Sequence, residues 1–312
     1  MAQSERATIL HLIETLDQKH LSGKREPLQL AIITLLCGGH LLLEDRPGLG
    51  KTTLALALSR ALGLHFGRVQ CTSDLLPSDI TGLSILDRVT NDFRFIPGPI
   101  FSNILLVDEL NRAMPRTQSA LLEAMEERGV TVEGTTHTLP DPFMVIATQN
   151  PGEQVGTFPL PESQLDRFLI ATGIGYPTAE IEQQIISGGS IRDDLQRIQP
   201  LIEIEELLTT RKIVQKEVHL APAIIDYIHR IAVATRSADL ISTGISPRGA
   251  IALAQSSRAL AWLDGRDHVI PEDIQTMLLP VGAHRLILRP ENEGLDKREV
   301  LSSLVRALPA PR

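Results

Sequence analysis

The chain has 312 residues and a formal charge of −8, and its 43% hydrophobic and 22% charged residues are the proportions of a globular protein with one large or two ordinary domains. The acidic balance and the lack of a block of Lys and Arg argue against nucleic acid as the main partner. Aromatic residues make up only 3%, which favours helices packed on a sheet over an aromatic-rich sandwich.

The N-terminal part of the chain predicts two helices and then the start of an α/β arrangement. We expect helices at about 5–20 and 24–37, before the aliphatic strand GHLLLED at 39–45. A helix at 51–62 and a second strand at 66–72 follow. The first segment is amphipathic rather than built like a signal peptide, and no apolar run is long enough to cross a bilayer, so the sequence predicts a cytoplasmic protein.

The middle of the chain alternates hairpin-like segments with aliphatic strands. Residues of about 80–99 and 130–139 predict two hairpins. The strand NILLVDE at 103–109 and the strand FMVIATQN at 143–150 consist largely of aliphatic residues, which is typical of strands buried on both faces. A helix is expected at 115–128. Strands separated by helices favour a parallel sheet.

The sequence pattern divides the chain into three parts. Residues 1–176 carry the N-terminal helices and the α/β pattern, and residues 177–290 show helical periodicity without a persuasive strand. We therefore expect an α/β domain followed by a smaller all-helical domain, and residues 291–312 as a C-terminal tail.

The stretch LLLEDRPGLGKTTLA at 41–55 predicts a phosphate-binding loop between a strand and a helix. It matches G-x-x-x-x-G-K-[ST] except that Asp45 stands at the first glycine position. The GKT triplet alone is weak support, and an ordinary strand-to-helix turn is the alternative. Glycines let the backbone approach a ligand, and amides that open a helix attract anions. The residues expected to hold a nucleotide are Pro47, Gly48, Leu49, Gly50, Lys51, Thr52 and Thr53.

Polar side chains at the ends of two later strands supply the remaining chemistry. Asp108 and Glu109 end an aliphatic strand, where Asp108 would hold Mg²⁺ together with Thr52, and Glu109 would polarise the attacking water. Asn150 ends another strand, where it could hold the same water or a phosphate oxygen. The alternatives are acids that begin a helix and a turn residue before Pro151.

The ordered motifs PGLGKTTLA, ILLVDELNRA, TQSALLEAMEER, VIATQNP, PLPESQLDRF and SPRGA resemble the MoxR family of AAA+ ATPases. The resemblance covers about residues 20–290. It implies a P-loop NTPase fold with a parallel-sheet α/β domain and a smaller all-helical lid, together with ATP and Mg²⁺ as cofactors.

The resemblance also implies roles for single residues. Lys51 and Thr52 match the Walker A pair, and Asp108 and Glu109 match the Walker B pair. Asn150 matches the sensor-1 residue.

Three further positions are implied by the resemblance alone. Arg167 matches the arginine finger that enters a neighbouring subunit's site, and Arg248 matches the sensor-2 arginine of the lid. Gly23 falls where relatives place a loop beside the adenine. A solvated helix end and a loop-capping residue are the alternatives for the two arginines. If Arg167 acts in trans, the protein works as a ring, usually a hexamer in this superfamily.

The family also suggests partners for the expected machine. Residues 80–99 resemble the insertion that marks the clade shared with magnesium chelatase subunits, and residues 130–139 resemble the hairpin before sensor 1. Both hairpins would contact a protein client, or else serve only as extra sheet edges. Relatives suggest a chaperone-like role in enzyme maturation or metal-cofactor insertion, with a partner that carries a von Willebrand factor A domain.

Asp45 departs from the family pattern, because a carboxylate aimed at phosphate would repel it. We expect its side chain to turn away, with Pro47 and Gly48 making the bend.

Two other classes of function stay open. A nucleotide-switched binding protein is one, although the guanine-specifying N-K-x-D motif is absent. A DNA-acting AAA+ motor is the other, although the acidic charge argues against it.

Overall fold

The computed structural model describes most of the chain. Residues without a described structure include Pro151 of the VIATQNP motif and two residues at the tip of the first hairpin. The described residues are 2–88, 91–150, 152, 155–188, 195 and 197–311.

The α/β part contains the predicted helices and strands, within a few residues of the expected bounds. Its elements in chain order are α1 (Ala2–Lys19), α2 (Arg25–Leu36), β1 (Leu41–Glu44), α3 (Lys51–Ala61), β2 (Phe66–Gln70), α4 (Pro77–Thr81), β3 (Gly82–Asp87), β4 (Asp92–Pro97), β5 (Ile104–Asp108), α5 (Pro115–Glu127), β6 (Gly129–Val132), β7 (Thr135–Thr138), β8 (Met144–Gln149), α6 (Glu162–Leu165) and β9 (Ile170–Thr172).

Five parallel strands form the main sheet of the described chain, in the order β2-β5-β8-β1-β9. Alternate residues of β5 pack into two different hydrophobic clusters: Leu106 joins one and Val107 the other. Strands covered on both faces need this continuous aliphatic sequence. The carboxyl ends of all five strands consequently lie along one edge of the sheet.

Both predicted hairpins are present as antiparallel pairs, β3 with β4 and β6 with β7. The second one turns at Glu133 and Gly134, which both have positive φ, as a tight two-residue hairpin turn requires. The ring of Phe95 in the first hairpin stacks on His137 in the second at 3.9 Å between centroids. The two hairpins therefore contact each other.

The C-terminal part is helical, with one short ribbon that the sequence did not indicate. Its elements are α7 (Ala179–Gly188), α8 (Ile204–Glu217), α9 (Pro222–Ser237), β10 (Ile241–Thr243), α10 (Pro247–Leu263), α11 (Pro271–Gly282), β11 (Ile287–Leu288) and α12 (Lys297–Arg306). β10 and β11 pair antiparallel, so the lid is not helical throughout. Short strands of two or three residues carry too few alternations to be read from sequence.

The segment 291–312 was expected as a tail, and it contains a packed helix instead. α12 contacts α9 and α11 and buries Val300, Leu301 and Val305. Three apolar side chains on one helical face are enough to hold this segment against the lid.

A buried ion pair joins the lid to the α/β part. The Arg285 Nε atom lies 2.8 Å from Asp166 Oδ1, and the Ser246 hydroxyl donates to the same carboxylate. Arg285 is 6% exposed, and burial lowers its pKa against the opposing effect of Asp166. A buried charge of this kind needs its partner. Asp166 therefore holds Arg285 of the lid against the α/β part.

Candidate functional site

The phosphate-binding loop has the backbone geometry that the sequence predicts. Gly48 and Gly50 have φ values of 86° and 94°, a left-handed region that costs glycine little. α3 begins at Lys51, directly after Gly50. The first amides of a helix have no carbonyl partner within it, so they can bind an anion at this point.

Lys51 is held at the centre of this loop. Its ammonium donates to the Asp45 carbonyl and lies 3.5 Å from the Gln149 carbonyl. Burial lowers the pKa of Lys51, while Asp45, Asp108 and Glu109 raise it. The ammonium therefore lies near several carboxylates and contacts the backbone at the carboxyl ends of β1 and β8.

The sheet brings the predicted polar residues to one cleft. Gln70 is aligned with Asp108 across β2 and β5, and Glu44 with Gln149 across β1 and β8. The cleft in front of these ends has a volume of about 330 Å³. It is lined by Pro47, Gly48, Gly50, Lys51, Thr52, Thr53, Arg68, Gln70, Asp108, Glu109, Thr148, Gln149 and Asn150.

Glu109 is held in an unusual backbone conformation beside the cleft. Its φ of 56° is left-handed, which is uncommon for a residue with a side chain and is often found at functional sites. Its amide donates to the Thr148 hydroxyl at 2.9 Å. Gln70 donates to its carboxylate at 3.0 Å, and Arg112 lies 3.1 Å from the same oxygen. These contacts fix the carboxylate at the rim of the cleft.

Asp108 and Asn150 are the other two predicted side chains at the ends of strands. The Asp108 carboxylate is 11% exposed and pairs with Arg68. The Asn150 side-chain oxygen accepts from the Gly152 amide at 3.2 Å, and Asn150 lines the cleft together with Thr148 and Gln149.

The residues present fit a magnesium nucleotide. The described residues contain no group of three His, Cys, Asp or Glu side chains that could hold a metal ion by itself. Mg²⁺ at nucleotide sites is bound by only one or two protein oxygens plus phosphates. Thr52 and Asp108 line the same cleft and supply a hydroxyl and a carboxylate, which suits such a shared ion.

Asp45 turns its carboxylate away from the cleft, as the sequence analysis expects. Its Oδ2 atom accepts from the amides of Ile174 and Gly175, both at 2.8 Å. The acid at the first glycine position therefore binds the segment that leads into the lid.

Gly23 does not line the cleft around Lys51. Its φ is 73°, and a β-carbon there would come 2.8 Å from Ile181 of α7. The neighbouring Lys24 donates to the carbonyls of Ile174 and Gly175. Gly23 is thus next to the connection between the two parts of the chain.

Arg167 and Arg248 lie together in a second cleft of about 220 Å³, lined mainly by the segment between α2 and β1, the end of α5, the segment after α6, and α10. Both bind the same carboxylate. The Arg167 Nη2 atom is 3.1 Å from Glu126 Oε2, and Arg248 pairs with Glu126 Oε1. Among the described residues of one chain, neither arginine lines the cleft around Lys51. Leu49, predicted to belong to that cleft, does not line it either.

Sequence reasoning missed several residues that contact the predicted acids. They come from strands other than the acid's own, so spacing along the chain gave no sign of them. The alternation of FGRVQC does place two polar residues on one face of β2, which was the available signal. The missed residues at the two acids are Arg68, Gln70 and Thr148. Glu126 of α5, which pairs with both predicted arginines, was also missed.

Comparison with known proteins agrees with this geometry. Residues 40–170 match the model of the ATPase family associated with various cellular activities (AAA), and residues 233–304 match the AAA lid domain. The described part of the chain has no helix with both the length and the apolar character needed to span a membrane.

Similar proteins cover nearly the whole chain. The uncharacterized protein YeaC of Bacillus subtilis is 45% identical over 93% of this chain and 91% of its own length. Chaperone MoxR1 of Mycobacterium tuberculosis is 38% identical over 85% of this chain and 72% of its own length. The crystal structure of a candidate ATPase from Cytophaga hutchinsonii superposes with a TM-score of 0.90 at 35% identity, over 100% of this chain and 97% of the other. The chain belongs to the MoxR family of AAA+ ATPases.

Proposed function

We propose that this protein hydrolyses ATP to ADP and phosphate at the cleft in front of α3 and uses the reaction to remodel or mature client proteins. The observation that carries the proposal is the convergence of Lys51, Thr52, Asp108, Glu109 and Asn150 on one cleft at the carboxyl edge of the sheet. This set supplies amides and an ammonium for phosphates, oxygens for a metal, and a carboxylate for water.

Each residue has a task in the proposed reaction. The amides that open α3 bind the phosphates, and Lys51 neutralises their charge. Glu109, held by Gln70, orients the attacking water and accepts its proton. Thr52 and Asp108 would hold magnesium, which would neutralise charge on the phosphates as the bond to the leaving group breaks. Asn150 positions the water from the neighbouring strand.

The two arginines favour an active site shared between subunits. Arg167 and Arg248 are paired with Glu126 in a separate cleft of their own chain. A guanidinium that does not line its own site can serve the next subunit's, where it would stabilise the charge that develops on the phosphates. We therefore propose a closed homo-oligomeric ring, a hexamer by analogy with the superfamily, with Arg167 acting in trans and Arg248 acting as the lid arginine.

The client is proposed from the relatives and from the surface of the first hairpin. One similar protein is named a chaperone. The first hairpin exposes apolar side chains, with Phe93 72% exposed and Leu86 49% exposed, and such a surface would suit a protein client. Enzyme maturation, metal-cofactor insertion and a partner with a von Willebrand factor A domain belong to the same proposal.

The test is phosphate release from ATP by the purified protein, compared with the Glu109→Gln variant. We expect Glu109→Gln to bind ATP with near-normal affinity and to lose roughly 100- to 10,000-fold in turnover, the usual cost of losing a general base. The matched control is Glu205→Gln on α8, which removes an exposed acid outside the cleft. Equal turnover by Glu109→Gln and wild type would refute the proposed chemistry. Calorimetric competition between ATP and GTP separates an ATPase from a guanine-nucleotide switch.

A further inference from the structure

Arg68 reaches into the proposed nucleotide cleft from β2 and binds the acid that the metal needs. Its Nε and Nη2 atoms both lie 2.8 Å from Asp108 Oδ2. Arg68 itself lines the cleft together with Lys51 and Thr52. Nothing in the nucleotide-binding motifs assigns a role to this arginine.

The two acids at the end of β5 are neutralised by separate cations. Asp108 pairs with Arg68, whereas Glu109 contacts Arg112 and Gln70. A carboxylate in a partly enclosed cleft needs such a partner, and it would repel phosphates without one. The Arg68 guanidinium thus lies against the carboxylate that the proposed metal would use.

A divalent cation at Asp108 would compete with this arginine. Both of the Arg68 contacts use the same carboxylate oxygen, and a second cation near that oxygen would be repelled by the guanidinium. The Arg68 side chain is 46% exposed, so it has room to move aside. The carboxylate is buried, so the guanidinium can leave only when the entering cation replaces its charge.

We propose that Arg68 is a positioning residue that acts as the counter-ion of Asp108 in the metal-free cleft and releases this carboxylate when a divalent cation enters. The inference rests on the proposed function in one respect, which is that the metal bound with the nucleotide lies at Asp108. It predicts two opposite effects of removing the arginine. Nucleotide binding without metal becomes weaker, because Asp108 is exposed to the phosphates, and metal binding becomes tighter, because a competitor is gone.

The experiment compares wild type with Arg68→Gln and Arg68→Lys. Calorimetry measures ADP affinity in EDTA and the Mg²⁺ concentration that half-saturates the effect of metal on ADP binding. We expect Arg68→Gln to weaken metal-free ADP binding and to lower the half-saturating Mg²⁺ concentration, each by about two- to fivefold. Arg68→Lys keeps the charge and should lie between the other two. Arg60→Gln, which removes an exposed arginine at the far end of α3, should change neither quantity.

A second measurement follows the metal directly. Electron paramagnetic resonance of Mn²⁺ in the presence of ADP should show tighter binding to Arg68→Gln than to wild type, and the difference should vanish in an Asp108→Asn background. Equal Mn²⁺ and Mg²⁺ affinities in wild type and Arg68→Gln would overturn the inference. So would a loss of folding stability with no change in either affinity. If wild type binds no ADP, the proposed function fails and the inference fails with it. If wild type binds ADP and the metal affinities of wild type and Arg68→Gln are equal, only the role of Arg68 fails.

Discussion

The carboxylate of Asp45, at the start of the phosphate-binding loop, accepts a hydrogen bond from the amide of Gly175, at the entry to the lid, at 2.8 Å. The same Oδ2 atom accepts from Ile174. Lys24 donates to the carbonyls of both residues. The loop that would hold the phosphates and the segment that leads to the lid are therefore directly joined by the Asp45 carboxylate.

Replacing Asp45 by glycine tests this connection, because the change restores the usual loop pattern while removing both bonds. We expect Asp45→Gly to lower the free energy of unfolding by about 1–3 kcal/mol, the cost of leaving two amides without their charged acceptor. ADP binding should stay within about threefold of wild type, since the carboxylate faces away from the cleft.

Urea denaturation and ADP calorimetry measure the two effects. Asp45→Asn is the matched control, because its side-chain oxygen can accept from both amides and only the charge is lost. A glycine variant as stable as wild type would contradict a supporting role for Asp45.

Lys51→Ala should abolish measurable nucleotide binding. The ammonium is surrounded by Asp108 and Glu109, and without it the cleft becomes net acidic and repels phosphates. We expect a loss in ADP affinity of about 100-fold or more. Lys216→Ala on α8 removes an exposed ammonium far from the loop and should bind ADP as wild type does. Retained binding by Lys51→Ala would place the nucleotide elsewhere.

Arg167→Ala should bind ATP normally and lose roughly 1,000-fold or more in turnover, the usual effect of removing an arginine finger. Mixing it with Lys51→Ala should restore part of the turnover, because each interface that joins an intact loop to an intact arginine becomes active. Phosphate release from the mixture measures this.

The control for the mixing experiment is Arg167→Ala combined with a double variant that lacks both Lys51 and Arg167. That mixture contains no complete interface and should stay inactive. Rescue by the double variant, or full turnover by Arg167→Ala alone, would remove Arg167 from the site.

Acid should destabilise the protein through His40. This histidine is buried, its Nδ1 atom accepts from the Val145 amide at 3.0 Å, and its Nε2 atom lies 3.3 Å from the Met125 carbonyl. Burial, and next the charge of Arg128, lower its pKa from 6.5 to about 3. As the pH falls, the unfolded chain therefore binds a proton at His40 before the folded protein does. The contribution of neutral His40 to the free energy of unfolding is fully present above pH 6.5 and is lost as the pH falls below that value.

At about pH 5 the loss from His40 amounts to about 2 kcal/mol. Urea denaturation at several pH values should show a smaller loss for His40→Gln than for wild type. Part of the loss should remain, because burial also lowers the pKa of His284. His229→Gln, at an exposed position on α9, should show the same dependence of the unfolding free energy on pH as wild type. If the unfolding free energy of His40→Gln depended on pH as that of wild type does, His40 would be charged in the folded protein or neutral in both states.

The sequence alone determined the features that are local along the chain. Gly50, Lys51 and Thr52 predict a phosphate-binding turn because they join an aliphatic strand to a helix, and the carboxyl-edge rule for parallel sheets then places Asp108 and Asn150 near them. Helix and strand positions followed from periodicity, which depends only on neighbouring residues. Both hairpins were visible for the same reason.

Only the tertiary structure decided which residues from separate elements meet. Arg68 reaches Asp108 across two strands, and Glu126 gathers Arg167 and Arg248 into a cleft away from Lys51. The docking of α12 on the lid was equally hidden. Such contacts depend on strand order and helix packing, which the spacing of residues in one sequence does not encode. Motifs could therefore identify a candidate nucleotide site, whereas the ion pairs that surround it appear only after the chain has folded.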